Sequence, residues 1–544
     1  MKAITRPSSG PHNTSRRART EFAAIAAALL FVSVARLFPW SKPGLQYDEA
    51  LLVRDAVKIL VGPAAPSFTP PSASSWIRLR SRSLPIMDLP YIGAMKPYLA
   101  LLPFAIFGSH AIVVRAVSVF LAAFGVWALV RTLSREISLG VGASVGLLLA
   151  VHPAILDQTI YDNSLVAVWM AMLGLVGVAF SAFRRSRSRF SAVLLGLSLG
   201  LAVWARLNFL WLIGATAVSA AVCARGCGTV LRKSWRSLAA GFAIGCSPLI
   251  LFEVLSRGAT LRFMRAASPN RGPWFRRVAA RLPSFAETLL SDSEHRGIWN
   301  GPLLPTWQIA FTVTLVLVGV GAALLLPKLA SESEDKCAWR KGSALTLCLF
   351  ALVMAGSRLN VSEHHLVTAV PVAAVATVLG IRRIASSSKA AKVGFAVAGA
   401  AFVALCLLWD VRSAIGIRST GGVRHWSEAI EDVAATLRTE APGATARVFS
   451  WGLGDNIFVL TGGAVAPREE FWEMNARGEG MNCGDVVGRG GYFLIGPSTT
   501  EVARAVRSCL TGFRGRSRKW TFREGSGAIY AELFRISPAT SGNR

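Results

Sequence analysis

The residues best suited to chemistry form a short acidic segment, Gln46-Tyr47-Asp48-Glu49-Ala50, directly after the first long apolar stretch of the chain. Carboxylates are costly to hold near hydrocarbon and are kept there mainly for binding, proton transfer or catalysis. We therefore expect chemistry at a membrane surface, with Asp48 as the first candidate residue.

A candidate cation follows in the same polar stretch, within the run Met95-Lys96-Pro97-Tyr98. An apolar segment ending at Phe107-Gly108 comes next, and Arg115 then enters another apolar stretch. Taken alone, Lys96 is equally explained by a lysine at the membrane interface that extends its amine toward water. Its neighbours in the sequence favour a functional role.

Composition predicts the class of protein that must position these groups. The chain has 544 residues, of which 53% are hydrophobic and 16% charged, and its mean hydropathy is +0.47. These values indicate a polytopic α-helical membrane protein. The formal net charge of +29 comes largely from short basic clusters between apolar runs, so we expect no nucleic-acid partner.

Apolar windows of about 19 residues predict about eleven spans. The first follows a basic arm and has no small-residue cleavage site after it, so we expect an uncleaved anchor in the cell (inner or plasma) membrane. The predicted spans are residues 22–40, 110–131, 139–155, 163–182, 190–204, 207–223, 237–256, 304–326, 343–357, 365–381 and 392–410.

Alternation of these spans puts four basic loops on one side, which the positive-inside rule assigns to the cytoplasm. The predicted organisation has a cytoplasmic arm at 1–21, a membrane domain at 22–411 with extracytoplasmic loops 41–109 and 257–303, and an extracytoplasmic domain at 412–544. The basic loops contain Arg184, Arg185, Arg187 and Arg189; Arg225, Arg232, Lys233 and Arg236; Lys328, Lys336, Arg340 and Lys341; and Arg382, Arg383, Lys389 and Lys392.

The last part of the chain has a mixed pattern that indicates a small α/β domain. We expect helices near 426–437 and 500–510 and strands near 446–451, 491–495 and 528–534. Cys483 and Cys509 are the two cysteines of this domain, and a disulfide between them fits an exported location. Trp451, Asp455 and Asn456 suit a sugar or acceptor surface, while turn chemistry explains the same run equally well.

The segment from Leu45 to Leu60 has apolar residues on one helical side, which predicts an amphipathic helix lying in the membrane interface. Under that interpretation Arg54, Asp55 and Lys58 form a solvated polar face.

The order of these features resembles the GT-C membrane glycosyltransferases, in the branch of bacterial protein O-mannosyltransferases and lipid A aminoarabinose transferases. Members have an external Asp-Glu motif, a Lys-Pro segment, Phe-Gly, and an Arg opening the next span. The matching positions are Asp48-Glu49, Lys96-Pro97, Phe107-Gly108 and Arg115, then His152-Pro153, Asp162, and Gly200-Leu201-Ala202 before Arg206.

The resemblance implies transfer of a sugar from a polyprenyl-phosphate carrier to an acceptor on the extracytoplasmic face, with inversion at the anomeric carbon. Asp48 would be the base, with Glu49 and Asp162 as second carboxylates that orient acceptor or sugar. Lys96 and Arg206 would hold the phosphate. The implied partners are the lipid-linked donor, a lipid, protein or glycan acceptor, and membrane lipids.

The sequence departs from the family pattern at Met95, where relatives often carry an acidic residue or histidine, and at Tyr98, which replaces a second proline. These departures weigh against a divalent metal at this position. The sequence assigns no definite cofactor, and a divalent metal stays an open alternative. Arg358, His364 and His365 share a short external loop in which they bind substrate or form hydrogen bonds at a helix end.

Several arginines of residues 257–303 suit either an anionic carrier or lipid headgroups. They include Arg265, Arg271, Arg276 and Arg277. Two other classes also fit the composition: a polytopic transporter, and a membrane-anchored binding or assembly protein of the cell envelope. The sugar and its acceptor are not determined by readable motifs.

Overall fold

The computed structural model describes residues 11–62, 75–79, 82–224, 227–266, 268, 272–291, 293–359, 361–471, 474, 483, 490–496, 501–513 and 517–537. They form a helical bundle followed by a small C-terminal sheet domain. The bundle helices are α1 (Pro11–Ala35), α2 (Tyr47–Leu51), α3 (Arg54–Val61), α4 (Met95–Phe107), α5 (Ala111–Glu136), α6 (Leu139–Ala150), α7 (Pro153–Ile160), α8 (Val166–Ser186), α9 (Arg189–Ala205), α10 (Phe209–Cys223), α11 (Cys227–Gly245), α12 (Ser247–Leu255), α13 (Ala259–Ala266), α14 (Trp274–Thr288), α15 (Ser293–Arg296), α16 (Thr306–Leu325), α17 (Glu334–Gly356), α18 (Glu363–Leu366), α19 (Val370–Ala385) and α20 (Lys389–Thr420).

The apolar helices confirm a multi-pass membrane protein, but not the number of spans. In the described part of the chain, seven helices are long and apolar enough to cross a membrane, or up to nine if two bent pairs each make one span. The bent pairs are α6 with α7 and α11 with α12, at angles of 61° and 60°. The remaining predicted spans coincide with the shorter helices α9 and α10, so a count of eleven stays a prediction.

Glycines set the close crossing of α9 and α11. A Cβ added at Gly196 would lie 2.1 Å from the carbonyl oxygen of Leu238, and one at Gly241 would lie 2.2 Å from that of Val193. Gly200 and Gly245, one turn further along each helix, are equally crowded by backbone. This small-xxx-small pattern lets the backbones touch, and it fixes the end of α9 from which Arg206 emerges.

Contacts bring the predicted cytoplasmic loops to one end of the bundle. Arg184 pairs with Asp335 at 2.6 Å, joining the loop after α8 to the start of α17. Glu21 of α1 pairs with Arg131 of α5 at 2.8 Å at the same end, and the Arg382 guanidinium borders Gly140. The assignment of this end to the cytoplasm stays a prediction from the positive-inside rule.

The prediction of an interfacial helix over Leu45–Leu60 is wrong. The segment forms two short helices, α2 and α3, and the C-terminal domain covers its polar side. Asp55 is fully buried, with Lys58 3.3 Å away, and Arg54 forms an ion pair of 2.8 Å with Asp455. Of the charges predicted to face solvent, Arg54 binds the C-terminal domain, while Asp55 and Lys58 pair with each other and Lys58 lies over the ring of Trp76.

Two small hairpins lead from α3 to α4. They consist of β1 (Trp76–Leu79) with β2 (Arg82–Pro85) and of β3 (Met87–Leu89) with β4 (Ile92–Gly93), both antiparallel. The indole of Trp204, near the end of α9, donates to the carbonyl of Ile86 at 2.8 Å. This hydrogen bond holds the second hairpin against the end of α9, directly before Arg206.

The C-terminal domain confirms the predicted α/β pattern. Its mixed sheet has the order β6-β5-β7-β9-β8, in which β5 runs parallel to β6 and β7, and β9 runs antiparallel to β7 and β8. Cys483 and Cys509 form a disulfide with their Cα atoms 5.6 Å apart. The elements are β5 (Thr445–Val448), β6 (Ala466–Glu469), β7 (Gly491–Ile495), β8 (Ser517–Arg523), β9 (Ile529–Ile536), α21 (Ala429–Glu440), α22 (Gly454–Leu460) and α23 (Glu501–Gly512).

Candidate active site

The acidic segment folds as a capped helical turn. The side-chain oxygen of Gln46 accepts from the backbone N–H groups of Asp48 and Glu49 at 2.6 and 3.2 Å. In return, Glu49 Oε2 accepts from the Gln46 backbone N–H at 3.1 Å. This reciprocal capping box explains why a Gln-Tyr-Asp-Glu sequence begins a helix here, and it fixes the direction of both carboxylates.

Glu49 is committed to Arg115. The guanidinium donates from Nε to Oε1 at 3.1 Å and from Nη2 to Oε2 at 3.0 Å, and both side chains are almost completely excluded from solvent. Arg115 also donates to the carbonyls of Trp40, Pro43 and Gly44 at 2.8–3.1 Å. These contacts satisfy both ions and tie the loop after α1 to the start of α5. They favour a positioning role for Glu49 over contact with a substrate.

Asp48 remains partly exposed, while Glu49 beside it is buried. Burial raises the pKa of Asp48 from 3.8 to about 6, and a hydrogen bond from the Gln46 amide opposes that rise. Asp48 also interacts electrostatically with His364, Glu294 and Asp455. A carboxylate with a pKa near the operating pH is suited to general-base catalysis.

Lys96 and Asp162 are brought together, but their first partners are each other. Lys96 Nζ lies 2.8 Å from Asp162 Oδ2, and both side chains are fully buried. The other carboxylate oxygen of Asp162 accepts from the backbone N–H of Val166 at 2.6 Å, at the start of α8. The charge of Lys96 is therefore neutralised, and Asp162 holds both Lys96 and a helix terminus in place.

Arg206 is a buried cation with spare hydrogen-bonding capacity. It is 2% exposed, and its Nη2 donates to the His364 carbonyl at 3.5 Å. Within the described ranges its Nε and Nη1 atoms have no hydrogen-bond partner. Burial lowers its pKa to about 10, so it stays charged at neutral pH. Buried donors without partners are costly, and this guanidinium is therefore ready to bind an anion.

Tyr91 interacts with both Asp48 and Arg206. Its hydroxyl interacts electrostatically with both Arg206 and Asp48. Its carbonyl accepts from the backbone N–H of Leu207 at 3.1 Å, and Ile92 forms a β-bridge with Arg206. The hairpin β3–β4 thus holds Arg206 close to the tyrosine that also interacts with Asp48, a connection that no sequence pattern indicates.

The two histidines join the same site through Glu294. His364 Nδ1 lies 3.3 Å from Glu294 Oε2, and the centroids of the His364 and His365 rings are 4.3 Å apart with the rings tilted by 38°. Ser362, the residue before α18, is hydrogen-bonded to both rings. The contacts therefore include the predicted helix-end hydrogen bonds. Arg358 is exposed in the loop after α17, and its assignment as a substrate ligand stays a prediction.

The arginines of the loop 257–303, which is predicted to be extracytoplasmic, serve partly to cap α17. Arg281 donates to the carbonyls of Met354, Ala355 and Ser357 at 2.8–3.1 Å, and Arg277 donates to that of Gly356 at 2.9 Å. These cations satisfy the free carbonyls at the helix C-terminus. Arg265 and Arg276 are exposed, and Arg271 lies outside the described residues.

The C-terminal domain completes one side of the site. Tyr47, next to Asp48, donates its hydroxyl to Glu469 Oε2 at 3.0 Å, and its ring lies 5.4 Å from that of Trp451. Asn456 donates to the Leu45 carbonyl at 3.2 Å. The sequence makes Trp451 and Asn456 candidates for a sugar or acceptor surface. No pattern in it indicates their contacts with Tyr47 and Leu45, about four hundred positions earlier.

No metal site is found among the described residues, since they contain no group of three or more His, Cys, Asp or Glu side chains placed to hold an ion. Met95 offers no hard oxygen ligand at the position where relatives often carry an acidic residue. The run Met95-Lys96-Pro97 therefore does not suit a divalent metal.

Neither the protein-family models nor the curated protein sequences contain a match to this chain. Matches are found among solved structures. ArnT from Cupriavidus metallidurans bound to undecaprenyl phosphate matches with a TM-score of 0.55 and 12% identity, over 95% of this chain and 99% of that chain. The apo form of ArnT gives a TM-score of 0.50 at the same identity and coverage. Arabinofuranosyltransferase AftD from Mycobacteria gives 0.49 at 14% identity, over 97% of this chain and 40% of AftD.

The chain has the GT-C-like fold of membrane glycosyltransferases, with a small C-terminal sheet domain. The resemblance drawn from the ordered motifs is thereby confirmed at the level of the fold. At 12% identity the likeness concerns the fold, and the reaction must be argued from the site itself.

Proposed function

We propose that this protein is a glycosyltransferase that moves a sugar from a polyprenyl-phosphate carrier to an acceptor hydroxyl on the extracytoplasmic face of the cell membrane. One observation carries the proposal: a partly exposed carboxylate, Asp48, shares its surroundings with a buried guanidinium, Arg206, two of whose nitrogens have no partner among the described residues. Displacement of a phosphate by a hydroxyl requires a base for the hydroxyl proton and a cation with donors for the phosphate.

In the proposed reaction Asp48 takes the proton of the acceptor hydroxyl as the oxygen attacks the anomeric carbon. The bond between that carbon and the phosphate oxygen breaks, and the electron pair leaves with polyprenyl phosphate. Because attack and departure occur on opposite faces of the sugar, the anomeric configuration inverts. Arg206 stabilises the charge that develops on the phosphate, since its free donors sit in a water-poor setting.

Lys96 has the smaller share of phosphate binding in this account. Its ammonium adds positive charge to the region, but Asp162 neutralises much of it at 2.8 Å. Asp162 also interacts electrostatically with Arg206. Lys96 and Asp162 therefore position the anion site together. Glu49 orients Asp48 through the capping box and Arg115, and His364 contributes through its interaction with Asp48.

The undecaprenyl phosphate in the ArnT structure supports a polyprenyl-phosphate donor for this chain as well. Supporting evidence for the membrane location is the set of apolar helices, and the positive-inside pattern favours an extracytoplasmic site. A transporter is less favoured, because the pairing of a partly exposed carboxylate with a buried guanidinium, two of whose nitrogens lack a partner within the described ranges, suits group transfer to a hydroxyl.

The proposal is tested by mass spectrometry of lipid extracts and envelope glycans from cells with and without the gene. We expect one polyprenyl-phosphate sugar to accumulate without the gene, while one glycoconjugate loses that same sugar. Restoring the wild-type gene should reverse both changes, and an Asp48→Asn gene should reverse neither. Unchanged pools in cells that express the protein would contradict the proposal and favour a binding or assembly role.

A further inference from the structure

A cluster from the C-terminal domain and the acidic segment forms a wall beside the proposed base. We name it the Trp451 wall, and it consists of Tyr47, His425, Trp451, Asp455 and Glu469. The Trp451 ring lies 5.4 Å from the Tyr47 ring and 5.0 Å from the His425 ring, which meets it edge-on at 81°. Trp451 is half-buried, so the wall keeps part of an indole open to solvent.

Polar contacts hold this wall in place. Tyr47 donates to Glu469 at 3.0 Å, and burial keeps its pKa far above the usual value, so it remains a neutral phenol. Arg54 donates from Nη1 to both oxygens of Asp455 at 2.8 and 3.0 Å. Because Tyr47 directly precedes Asp48 in α2, its contacts with Glu469 and Trp451 place the wall next to the acidic segment.

The wall is aromatic, and its charged groups are already engaged. Arg206 offers an anion donors that have no partner in the described part of the chain, whereas Asp455 on the wall is paired with Arg54 and Glu469 accepts from Tyr47. A phosphorylated acceptor placed against the wall would find the Arg54 guanidinium already bound to Asp455. A neutral sugar would instead lay its C–H face on the indole and donate its hydroxyls to the carboxylates.

We propose that the Trp451 wall is the acceptor subsite and that the acceptor is an uncharged carbohydrate chain. This inference rests on the proposed function and narrows it, since it selects a neutral glycan over a protein side chain or a phosphorylated glycolipid. Trp451 orients the acceptor ring, and Asp48 then receives the proton of the hydroxyl that attacks.

The test uses the full chain in phosphatidylcholine vesicles. The donor probe is the polyprenyl-phosphate fraction extracted from cells that lack the gene. Neutral envelope polysaccharide, Ser/Thr-containing peptides and a phosphorylated glycolipid are offered separately as acceptor probes. We expect transfer to the polysaccharide, and Trp451→Ala should raise its KM about tenfold with a smaller change in kcat.

Two further variants separate recognition from folding. Trp451→Phe keeps an aromatic face and should recover most of the affinity for the polysaccharide. Trp520→Ala removes an indole from β8 of the same domain, outside the wall, and should leave the KM unchanged. A purely structural role for Trp451 would instead lower kcat and the melting temperature together, without recovery in Trp451→Phe.

The inference is overturned if the wild type prefers the peptides or the phosphorylated glycolipid, or if Trp451→Ala transfers to polysaccharide with an unchanged KM. Failure of the proposed function looks different. In that case the wild type consumes none of the donor with any acceptor, and the inference falls with it.

Discussion

The carboxylate of Glu49 and the guanidinium of Arg115 form a two-point ion pair with N–O distances of 3.0 and 3.1 Å, in a part of the protein that excludes water. The two adjacent carboxylates of the motif therefore differ. Glu49 is buried and, through Arg115, holds the loop after α1, whereas Asp48 remains partly exposed. In our proposal Asp48 is the base of this motif and Glu49 is its anchor.

Removal of one member of this pair should destabilise the protein. Arg115→Ala leaves the Glu49 carboxylate buried without its cation, which costs about 3–5 kcal/mol in comparable pairs. Thermal unfolding of the purified protein in detergent measures the change. The matched control is Glu21→Gln, which breaks a partly exposed pair with Arg131 and should cost about 1 kcal/mol or less. Equal effects of the two variants would contradict the assignment of Glu49 as an anchor.

Arg206 should control donor affinity. Arg206→Ala removes the buried guanidinium, and we expect kcat/KM for the lipid-linked donor to fall about a hundredfold or more. Arg206→Lys should recover part of the activity, because it keeps the charge but not the planar donors. Initial rates at varied donor concentration give the result, with exposed Arg523→Ala as the control. A donor KM and kcat unchanged in Arg206→Ala would place the phosphate elsewhere.

The pH dependence of kcat/KM should follow the ionisation of the Asp48 carboxyl. Its pKa is raised to about 6 by burial, and the ionised form is the one that accepts a proton. The value of kcat/KM should therefore be constant above that pH and fall about tenfold per pH unit below it. A profile that stays flat down to pH 4.5 would show that Asp48 is not the base.

Asp48→Asn should stabilise the fold while abolishing activity. The rise in pKa from 3.8 to about 6 means that ionised Asp48 destabilises the native state by roughly 2–3 kcal/mol. This penalty is absent below the unfolded pKa, grows as pH rises between the two values, and is complete above 6. The melting temperature of Asp48→Asn should exceed that of the wild type at pH 8 and approach it near pH 4.

Contact between the domains should depend on Arg54 and Asp455. Their side chains are 13% and 14% exposed and lie 2.8 Å apart, so a double-mutant cycle should give a coupling of about 0.5–3 kcal/mol. Arg54→Ala and Asp455→Asn are the single variants, and thermal unfolding is the measurement. A coupling of zero would mean that other contacts dock the C-terminal domain.

The sequence predicted the membrane helices well because long apolar stretches leave few other structures in a bilayer. It also proposed Asp48, Glu49, Lys96, Asp162, Arg206 and the histidines as site residues. These lie in one connected set of contacts and electrostatic interactions, and their roles stay predictions. What it did not predict were the partners within that set, such as Lys96 with Asp162, because pairing depends on how the helices pack.

The errors have identifiable physical causes. The Leu45–Leu60 segment has amphipathic periodicity, but its polar side meets Asp455 of a domain that follows about four hundred residues later. Strand β8 was missed because Ser517–Arg523 is a charged edge strand with no continuous apolar run. Strand β6 has only four residues and includes Pro467. In these three segments the sequence pattern reflects only neighbouring residues, whereas the observed structure depends on contacts with residues far away in the chain.

The central claim is that Asp48 is the base for sugar transfer from a polyprenyl phosphate. The most direct measurement is transfer by purified wild type and Asp48→Asn, supplied with the polyprenyl-phosphate fraction from cells lacking the gene and with their envelope glycans. Asp432→Asn, an exposed carboxylate variant on α21, is the control. We predict that the wild type and the control transfer sugar equally and that Asp48→Asn loses about a hundredfold or more. Transfer by folded Asp48→Asn at the wild-type rate would contradict the account.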